Sequence, residues 1–478
     1  MKKLITLLSV LVLLFTCSAV FAACDNGGGS AGNDSAYQIW LDSGNTGTEA
    51  DFLEWLKTAL KKPDDKTDDK KDDTGKTDED DTGFAYYPLD DGTYGVGVGE
   101  LSERETLTIP SGYKGKAVTR IVYEGFKNCR VQSVTIPDSV TLIDESAFAE
   151  CARLTSVNFG SGVKTIGKKA FTYCRALTEI SIPDNVSVIG NSAFVGCFAL
   201  KTVSTGKGIT LIDKNAFASC FELESVSMAD CSAVIGDEVF KKCEKLTTFK
   251  FGNGITAIGQ ESFSNCKALK SVSLSDSITS IGSNAFVSCE NLTSVKLPAN
   301  LAAIEGGTFA SCVKLTDVTI PNGVKTIGEA AFNNCPALKN IQIPNSVTAI
   351  KSYAFANSGL TSITLPDSVT VISDGMFSQA SNLTNVTLGN KVTDIEGFVF
   401  NRCPLELLII PTSIKTINSA AFYGSRVLLC YKGSQADWEK KNISFSDTYV
   451  LFYSETETSE PYSYWHYAED GKTPKRWS

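Results

Sequence analysis

From residue 84 onward, apolar and polar positions recur with a fixed period. Phe126, Phe148, Phe171, Phe194, Phe217, Phe240, Phe263, Phe286, Phe309, Phe332, Phe355, Phe377, Phe400 and Phe422 follow one another every 22 or 23 residues, which makes fourteen repeats. The consensus is L-T-S-V-x-I-P-x-S-V-x-x-I-G-x-x-A-F-x-x-C-x-x, and residues 154–176 show it well. A fixed period in the twenties marks stacked coils, each unable to bury its apolar face alone. In "SVTIP" the Val and Ile alternate with polar residues, so a short strand buries one face. Pro (137, 183, 298, 321, 344, 366, 411) or Gly (160, 206, 252, 389) then ends that strand at a corner. A second short extended piece, "SVTxIG", ends on Gly. The "xxAFxxC" segment is expected to make a short helical turn with Ala, Phe and Cys facing the core.

The expected fold is therefore a β-rich repeat solenoid of about 14 coils over residues 84–426, with short strands and one short helical turn per coil. After Phe422 the pattern changes to "VLLCYKGSQADWEKKN", with Ser434 placed to cap a helix, and then to the strand-like "YVLFY". A solenoid end exposes apolar core, so residues 427–478 are expected to form a C-terminal cap. Tyr462, Tyr464, Trp465, His466, Tyr467 and Trp477 would belong to that cap, with sugar stacking on them an alternative.

The other end reads as an address followed by a tether. Lys2 and Lys3 precede an apolar run from Leu4 to Thr16, too short to span a bilayer and suited to a signal peptide over residues 1–23. "AVFAAC" resembles a bacterial lipobox, with Phe21 in the place of the usual Leu, and implies lipidation at Cys24. Several acyl chains hold a protein firmly where one holds it weakly. Residues 24–60 would comprise this anchor and a short helical hairpin. Thr48 can cap a helix whose Phe52, Leu53, Leu56, Ala59 and Leu60 recur at helical spacing. "AYQIWLDSGNTGTEADFLEWLK" is similar to a short module of bacterial surface and phage collagen-like proteins. Residues 61–83 contain no large apolar side chain, cannot offset their ordering entropy, and are expected to be a charged disordered linker.

"SVTIPDSVTLIDESAFAEC" and its copies resemble the BspA-type leucine-rich repeat of bacterial surface proteins. "YKGKAVTRIVYEGFKNC" is similar to that family's opening repeat, and the stretch from "YKGSQADWEKKNISF" to "YWHYAEDGK" to its closing segment. The resemblance implies a cell-surface or secreted binding protein, often an adhesin, exported and held at the envelope. It implies a scaffold rather than a ligand. Host extracellular matrix, mucin, or a bacterial surface protein or glycan are the partner classes that fit.

Charge narrows the options. The net charge is −10, but residues 25–60 carry one Lys against six acids, and residues 61–82 six Lys against ten. The repeats themselves are close to neutral and offer nucleic acid no electrostatic footprint. His466 is the single histidine, so a His base or a His metal cluster has one residue to draw on. No cofactor or metal motif is present: "GVGVG" at 95–99 lacks the strand–glycine–helix context of a dinucleotide site and reads as a glycine-rich edge strand.

Four sets of side chains remain as candidates. Cys129, Cys151, Cys174, Cys197, Cys220, Cys243, Cys266, Cys289, Cys312, Cys335 and Cys403 share one repeat position. With Cys231 and Cys430 they make thirteen thiols, which cannot pair completely. Small buried hydrophobes are the reading that follows. Asp138, Asp184, Asp230 and Asp276 sit at one corner on every second coil, where Asx-turn bonding accounts for them better than a β-helix lyase or hydrolase carboxylate cluster. Thr135, Asn158, Ser181, Ser204, Ser227, Lys250, Ser273, Lys296, Thr319, Gln342, Thr364 and Thr387 would tile a flat polar strip. Phe198 and Phe221 take a position charged in other coils, with Tyr173 and Arg175 on the preceding coil. Half-burial against the next coil and a partner-binding hot spot both fit these aromatics. A non-enzymatic, adhesin-like surface lipoprotein is the function expected, with a passive spacer or a polysaccharide-active enzyme as alternatives.

Overall fold

The computed structural model describes residues 78–79, 83–99, 104–443, 450–455, 464–468 and 474–476. The chain divides into two compact units, Met1–Gly75 and Lys76–Ser478, and the described residues belong to the second. The signal sequence, Cys24, the helical hairpin and most of the charged run lie outside the described residues.

The second unit is a β-solenoid, and the coil that carries Phe194 illustrates its logic. Strand Glu179–Ile182 alternates exposed and buried positions, so Ile180 and Ile182 enter the core while Glu179 and Ser181 face out. It pairs in parallel and in register with Thr202–Thr205, then with Ser225–Met228 and Thr248–Lys250. Past the Pro183 corner, Val188–Ile189 pairs with Thr165–Ile166 on one side and Leu211–Ile212 on the other. The same apolar–polar alternation in successive coils makes this register self-consistent, because a one-residue slip would turn the core-facing side chains outward.

The third side of the coil departs from expectation. No helix forms at the "xxAFxxC" segment. Ser146 and Glu150 adopt φ of 57° and 64°, and the later coils through that of Phe400 place positive-φ residues at the matching positions, among them Asn215, Asn265, Asn284 and Asn334. Two consecutive tight turns result. Ala147, Ala149 and Cys151 donate to carbonyls three residues back, at 3.3, 3.0 and 3.4 Å. Ser146, Phe148 and Glu150 donate instead to Lys168, Ala170 and Thr172 of the next coil, at 2.9, 2.7 and 2.8 Å. A helix would spend every N–H inside its own coil. The turn ribbon spends half of them between coils and so acts as a third ladder, which offsets the strain of left-handed residues. Among the described residues, the one α-helix is Gln435–Lys440.

Inside, the repeated Phe rings stack along the solenoid. Successive centroids are 5.1 Å apart at Phe194–Phe217 and 6.0 Å apart at Phe355–Phe377, and the rings of these pairs lie within 11° of parallel. Each of these rings is fully buried except Phe422, which is 6% exposed.

Both ends are closed by sheets. At the start, Phe84–Pro88 and Tyr94–Val98 form an antiparallel hairpin, and Tyr94–Val98 pairs in parallel with Lys116–Ile121. The "GVGVG" strand is thus an interior strand, not an edge. A Cβ at Gly95 would lie 2.5 Å from Val122 Cγ1, so glycine is what lets the next coil close over it. Asp78–Glu79 pairs with Ala85 and Tyr86, so the end of the run expected to be disordered through residue 83 adds a strand. At the other end Leu407–Ile410, Leu428–Tyr431, Val450–Tyr453, Tyr464–Tyr467 and Pro474–Arg476 form one five-stranded sheet. Ser434 caps the helix by accepting from the Asp437 N–H at 3.2 Å. Trp465 is buried over this sheet and donates its indole N–H to the Tyr431 carbonyl at 3.0 Å.

Candidate binding surfaces of the solenoid

The strand faces set out a polar strip. Thr135, Asn158, Ser181, Ser204, Ser227, Lys250, Ser273, Lys296, Thr319, Gln342, Thr364 and Thr387 are all exposed. Parallel register brings neighbours side by side: Ser181 beside Ser204, which donates to it at 3.1 Å, then Ser227 and Lys250.

The corner aspartates do something different from an Asx turn. Asp138 Oδ1 accepts the backbone N–H of Ser161 on the next coil at 2.7 Å. Asp184 takes that of Lys207 at 3.0 Å, Asp230 that of Asn253 at 3.0 Å, and Asp276 that of Ala299 at 2.9 Å. Asp367 repeats the bond with Asn390 at 2.6 Å. These carboxylates staple adjacent coils. The bond to Ser161 holds the Asp138 carboxyl below its ordinary pKa, because a carboxylate accepts what a carboxylic acid accepts less well.

All thirteen cysteines of the described residues are buried free thiols. From Cys151 on, the thiol of each ladder cysteine donates to the carbonyl of a ladder phenylalanine, Cys174 to Phe148 at 3.2 Å and Cys403 to Phe377 at 3.1 Å. Burial pushes Cys197 and Cys289 up to about 12. A thiol held neutral in apolar surroundings is neither nucleophile nor ligand. Among the described residues no cluster of His, Cys, Asp and Glu could hold a metal ion. His466 lies on the closing sheet, with Nδ1 2.8 Å from the Tyr467 carbonyl.

Tyr173, Arg175, Phe198 and Phe221 come together on the edge between the turn ribbon and the strand face. Phe198 and Phe221 stack at 5.4 Å and 12°. Tyr173 meets Phe198 edge-on at 6.2 Å, and the Arg175 guanidinium lies 5.8 Å from the Tyr173 ring and 5.6 Å from the Phe198 ring. Tyr173 is 42% exposed, Phe221 39%, and Phe198 is half-buried between them. The Tyr173 ring lies on Gly196, where a Cβ would approach it to 2.4 Å. Beyond Phe221 the edge becomes ionic, with Lys245–Glu222 at 2.6 Å and Lys267–Glu244 at 3.1 Å. An apolar, cation-flanked step thus interrupts a charged edge.

A model of the BspA type leucine rich repeat region, six copies long, matches residues 119–245, 210–335 and 302–428. The chain belongs to the BspA-type leucine-rich repeat family. A leucine-rich repeat protein from Bacteroides ovatus ATCC 8483 is 25% identical over 79% of this chain and 99% of its own, with a TM-score of 0.48. A leucine rich cell surface protein from Faecalibacterium prausnitzii A2-165 is 24% identical over 77% and 97%, with a TM-score of 0.43. The pneumococcal vaccine antigen PcpA is 20% identical over 79% and 98%, with a TM-score of 0.47. No functionally curated protein matches.

Other BspA-type coils of this chain carry exposed aromatics that sequence reasoning passed over. Tyr353 is 38% exposed and lies on Gly375 as Tyr173 lies on Gly196. Phe398 and Tyr423, 43% and 62% exposed, meet at 6.1 Å. For Tyr353 the signal was available: as with Tyr173 and Gly196, an aromatic on one coil is followed by glycine at the same repeat position on the next.

Proposed function

We propose that this BspA-type repeat protein is displayed on a bacterial surface, anchored by lipid at Cys24, and holds partners noncovalently on its solenoid as an adhesin does. The observation that carries the reading is the step formed by Tyr173, Arg175, Phe198 and Phe221. Exposed aromatics beside an arginine are the side chains that most often anchor interfaces, and here they stand at a position that the flanking coils fill with Arg175 and Glu244. The polar strip supplies a long regular face of the kind on which solenoids hold extended partners. Binding rather than catalysis is supported by the neutral buried thiols and by the stapling role of the aspartates. Host matrix proteins, mucins and bacterial surface proteins or glycans are the partner classes proposed. Arrays of those proteins and glycans probed with the mature chain test it. Saturable binding lost in Phe198→Ser/Phe221→Ser supports an adhesin. Binding to none of them leaves a passive spacer.

A further inference from the structure

The aspartate staples come on every second coil, and one member of that series is an asparagine. Asp138, Asp184, Asp230, Asp276 and Asp367 each accept a backbone N–H of the following coil. Between Asp276 and Asp367 the alternation falls on Asn322, whose partner by register is the N–H of Asn345. Among the described residues no hydrogen bond engages the Asn322 side chain or that N–H. The corner is nevertheless built as the stapled ones are. The Thr348 N–H donates to the Lys325 carbonyl at 2.9 Å, as the Lys164 N–H does to Thr141 at 2.9 Å across the Asp138 corner. Thr326–Ile327 pairs in register with Ala349–Ile350. What differs lies before the corner. Strands pair across all five stapled corners, whereas Asp317–Thr319 does not pair with residues 340–343. A carboxylate makes a charge-assisted bond to such an N–H, and a carboxamide oxygen makes a weaker one.

The residue after Asn322 is Gly323, and that dipeptide carries its own chemistry. With no Cβ on the second residue, the glycine nitrogen is open to close approach by the asparagine side chain. Three Asn-Gly pairs occur in the chain, at 26, 253 and 322, and the first lies outside the described residues. The other two differ in what holds them. Asn322 and Gly323 are both exposed, at the tip of a turn closed by the Val324 N–H on the Pro321 carbonyl at 3.1 Å. Among the described residues the Gly323 N–H makes no hydrogen bond. Asn253 is clamped instead. Its N–H and its Nδ2 donate to the two carboxylate oxygens of Asp230, at 3.0 and 3.3 Å, which turns the side chain onto the preceding coil. Gly254 is half-buried, and a Cβ there would meet the Cys231 oxygen at 2.5 Å, against 3.3 Å for the nearest atoms at Gly323.

We propose that Asn322 is a self-modification site, where spontaneous loss of the side-chain amide creates the aspartate that completes the row of staples. The Gly323 nitrogen gives its proton to solvent hydroxide and forms a bond to Asn322 Cγ. The Cγ–Nδ2 bond breaks and the nitrogen leaves as ammonia, closing a succinimide ring. Water then adds to a ring carbonyl and the ring C–N bond breaks. Opening at the side-chain carbonyl gives aspartate on an unaltered main chain; opening at the main-chain carbonyl gives the β-linked isomer. The net change is one water consumed and one ammonia released, with no oxidant or reductant. The aspartate formed accepts the Asn345 N–H as Asp138 accepts that of Ser161, so a slow, one-way step tightens the solenoid after it has folded. This goes beyond the binding role and is independent of it.

The mature chain, incubated at alkaline pH in oxygen-18 water and mapped by tandem mass spectrometry, tests the chemistry. The tryptic peptide of residues 315–325 is expected to lose its amide and gain one labelled oxygen, with part of the product as aspartate, while Asn253 stays unconverted over the same period. Gly323→Ala should slow the conversion at least tenfold, and Asp230→Ala should release Asn253 to convert as well. Hydrogen exchange at the Asn345 amide tests the staple. It should be at least tenfold slower in Asn322→Asp than in Asn322→Gln, which keeps a carboxamide. No conversion at Asn322, or conversion at Asn253 just as fast, overturns the self-modification site. A product that is the β-linked isomer alone, or equal exchange in the two variants, overturns the staple.

Discussion

Replacing Phe198 and Phe221 together by Ser separates a binding step from packing, because the structure assigns different areas to the two roles. Phe221 exposes 39% of its surface and Tyr173 42%. On a ring residue of roughly 200 Å2 that is about 80 Å2 apiece, and covering it contributes about 2 kcal/mol at ~25 cal/mol per Å2. Loss of one such contact weakens affinity about thirtyfold. The cost to stability comes from elsewhere: the half-buried Phe198 and its stack with Phe221, where an aromatic pair is worth about 0.5–1.5 kcal/mol beyond burial. Phe217, fully buried and stacked on both sides, sets the contrasting scale, since truncating such a ring costs about 3–5 kcal/mol. Circular dichroism melts and a binding assay on the double variant and on Phe217→Ala should dissociate. The double variant loses affinity at least tenfold with a shift of a few degrees at most, whereas Phe217→Ala melts far lower. A double variant that melts as low as Phe217→Ala, or that binds as the parent does, refutes the reasoning.

Cys24→Ala should abolish labelling by a fatty-acid probe and release the protein from the membrane fraction; continued labelling would place the anchor elsewhere. Alkylation followed by mass spectrometry should modify few of the thirteen buried cysteines in the native protein and all of them after denaturation without reductant. A linked peptide such as Cys174 with Cys197 would contradict that. Asp138→Asn should flatten the acid limb of the stability profile. The folded-state pKa of Asp138 is lowered, so its contribution is present above the ordinary carboxylate range and is lost as pH falls through the folded value. An unchanged acid limb in urea melts would remove Asp138 from the list of coil staples.

Much of the solenoid was legible because its core is periodic. The alternation in "SVTIP" and the Phe recurrence each report a side chain's direction, and direction is what burial fixes. The turn ribbon was not legible from the apolar residues, since Ala, Phe and Cys at i, i+1 and i+4 suit a helix and a pair of turns equally. The distinguishing signal lay in the polar positions, where Asn215, Asn265, Asn284 and Asn334 hold left-handed conformations that asparagine tolerates and a helix forbids. The aspartate staples were hidden for another reason. Asp138 and its Ser161 partner are 23 residues apart, whereas an Asx turn is judged within four. The "GVGVG" strand was misplaced on the same account, because what makes it interior is Lys116–Ile121, paired to it from the next stretch of chain.

In a repeat of this kind the consensus and the function compete for different residues. The turn ladder and the apolar core are kept up by any coil that retains the apolar positions and the left-handed pair, while strand pairing lapses between some coils. A residue that obeys the consensus therefore carries little information about a partner. The departures carry it. Phe198 and Phe221 replace charge with apolar surface and leave the core untouched, so the scaffold tolerates them without needing them.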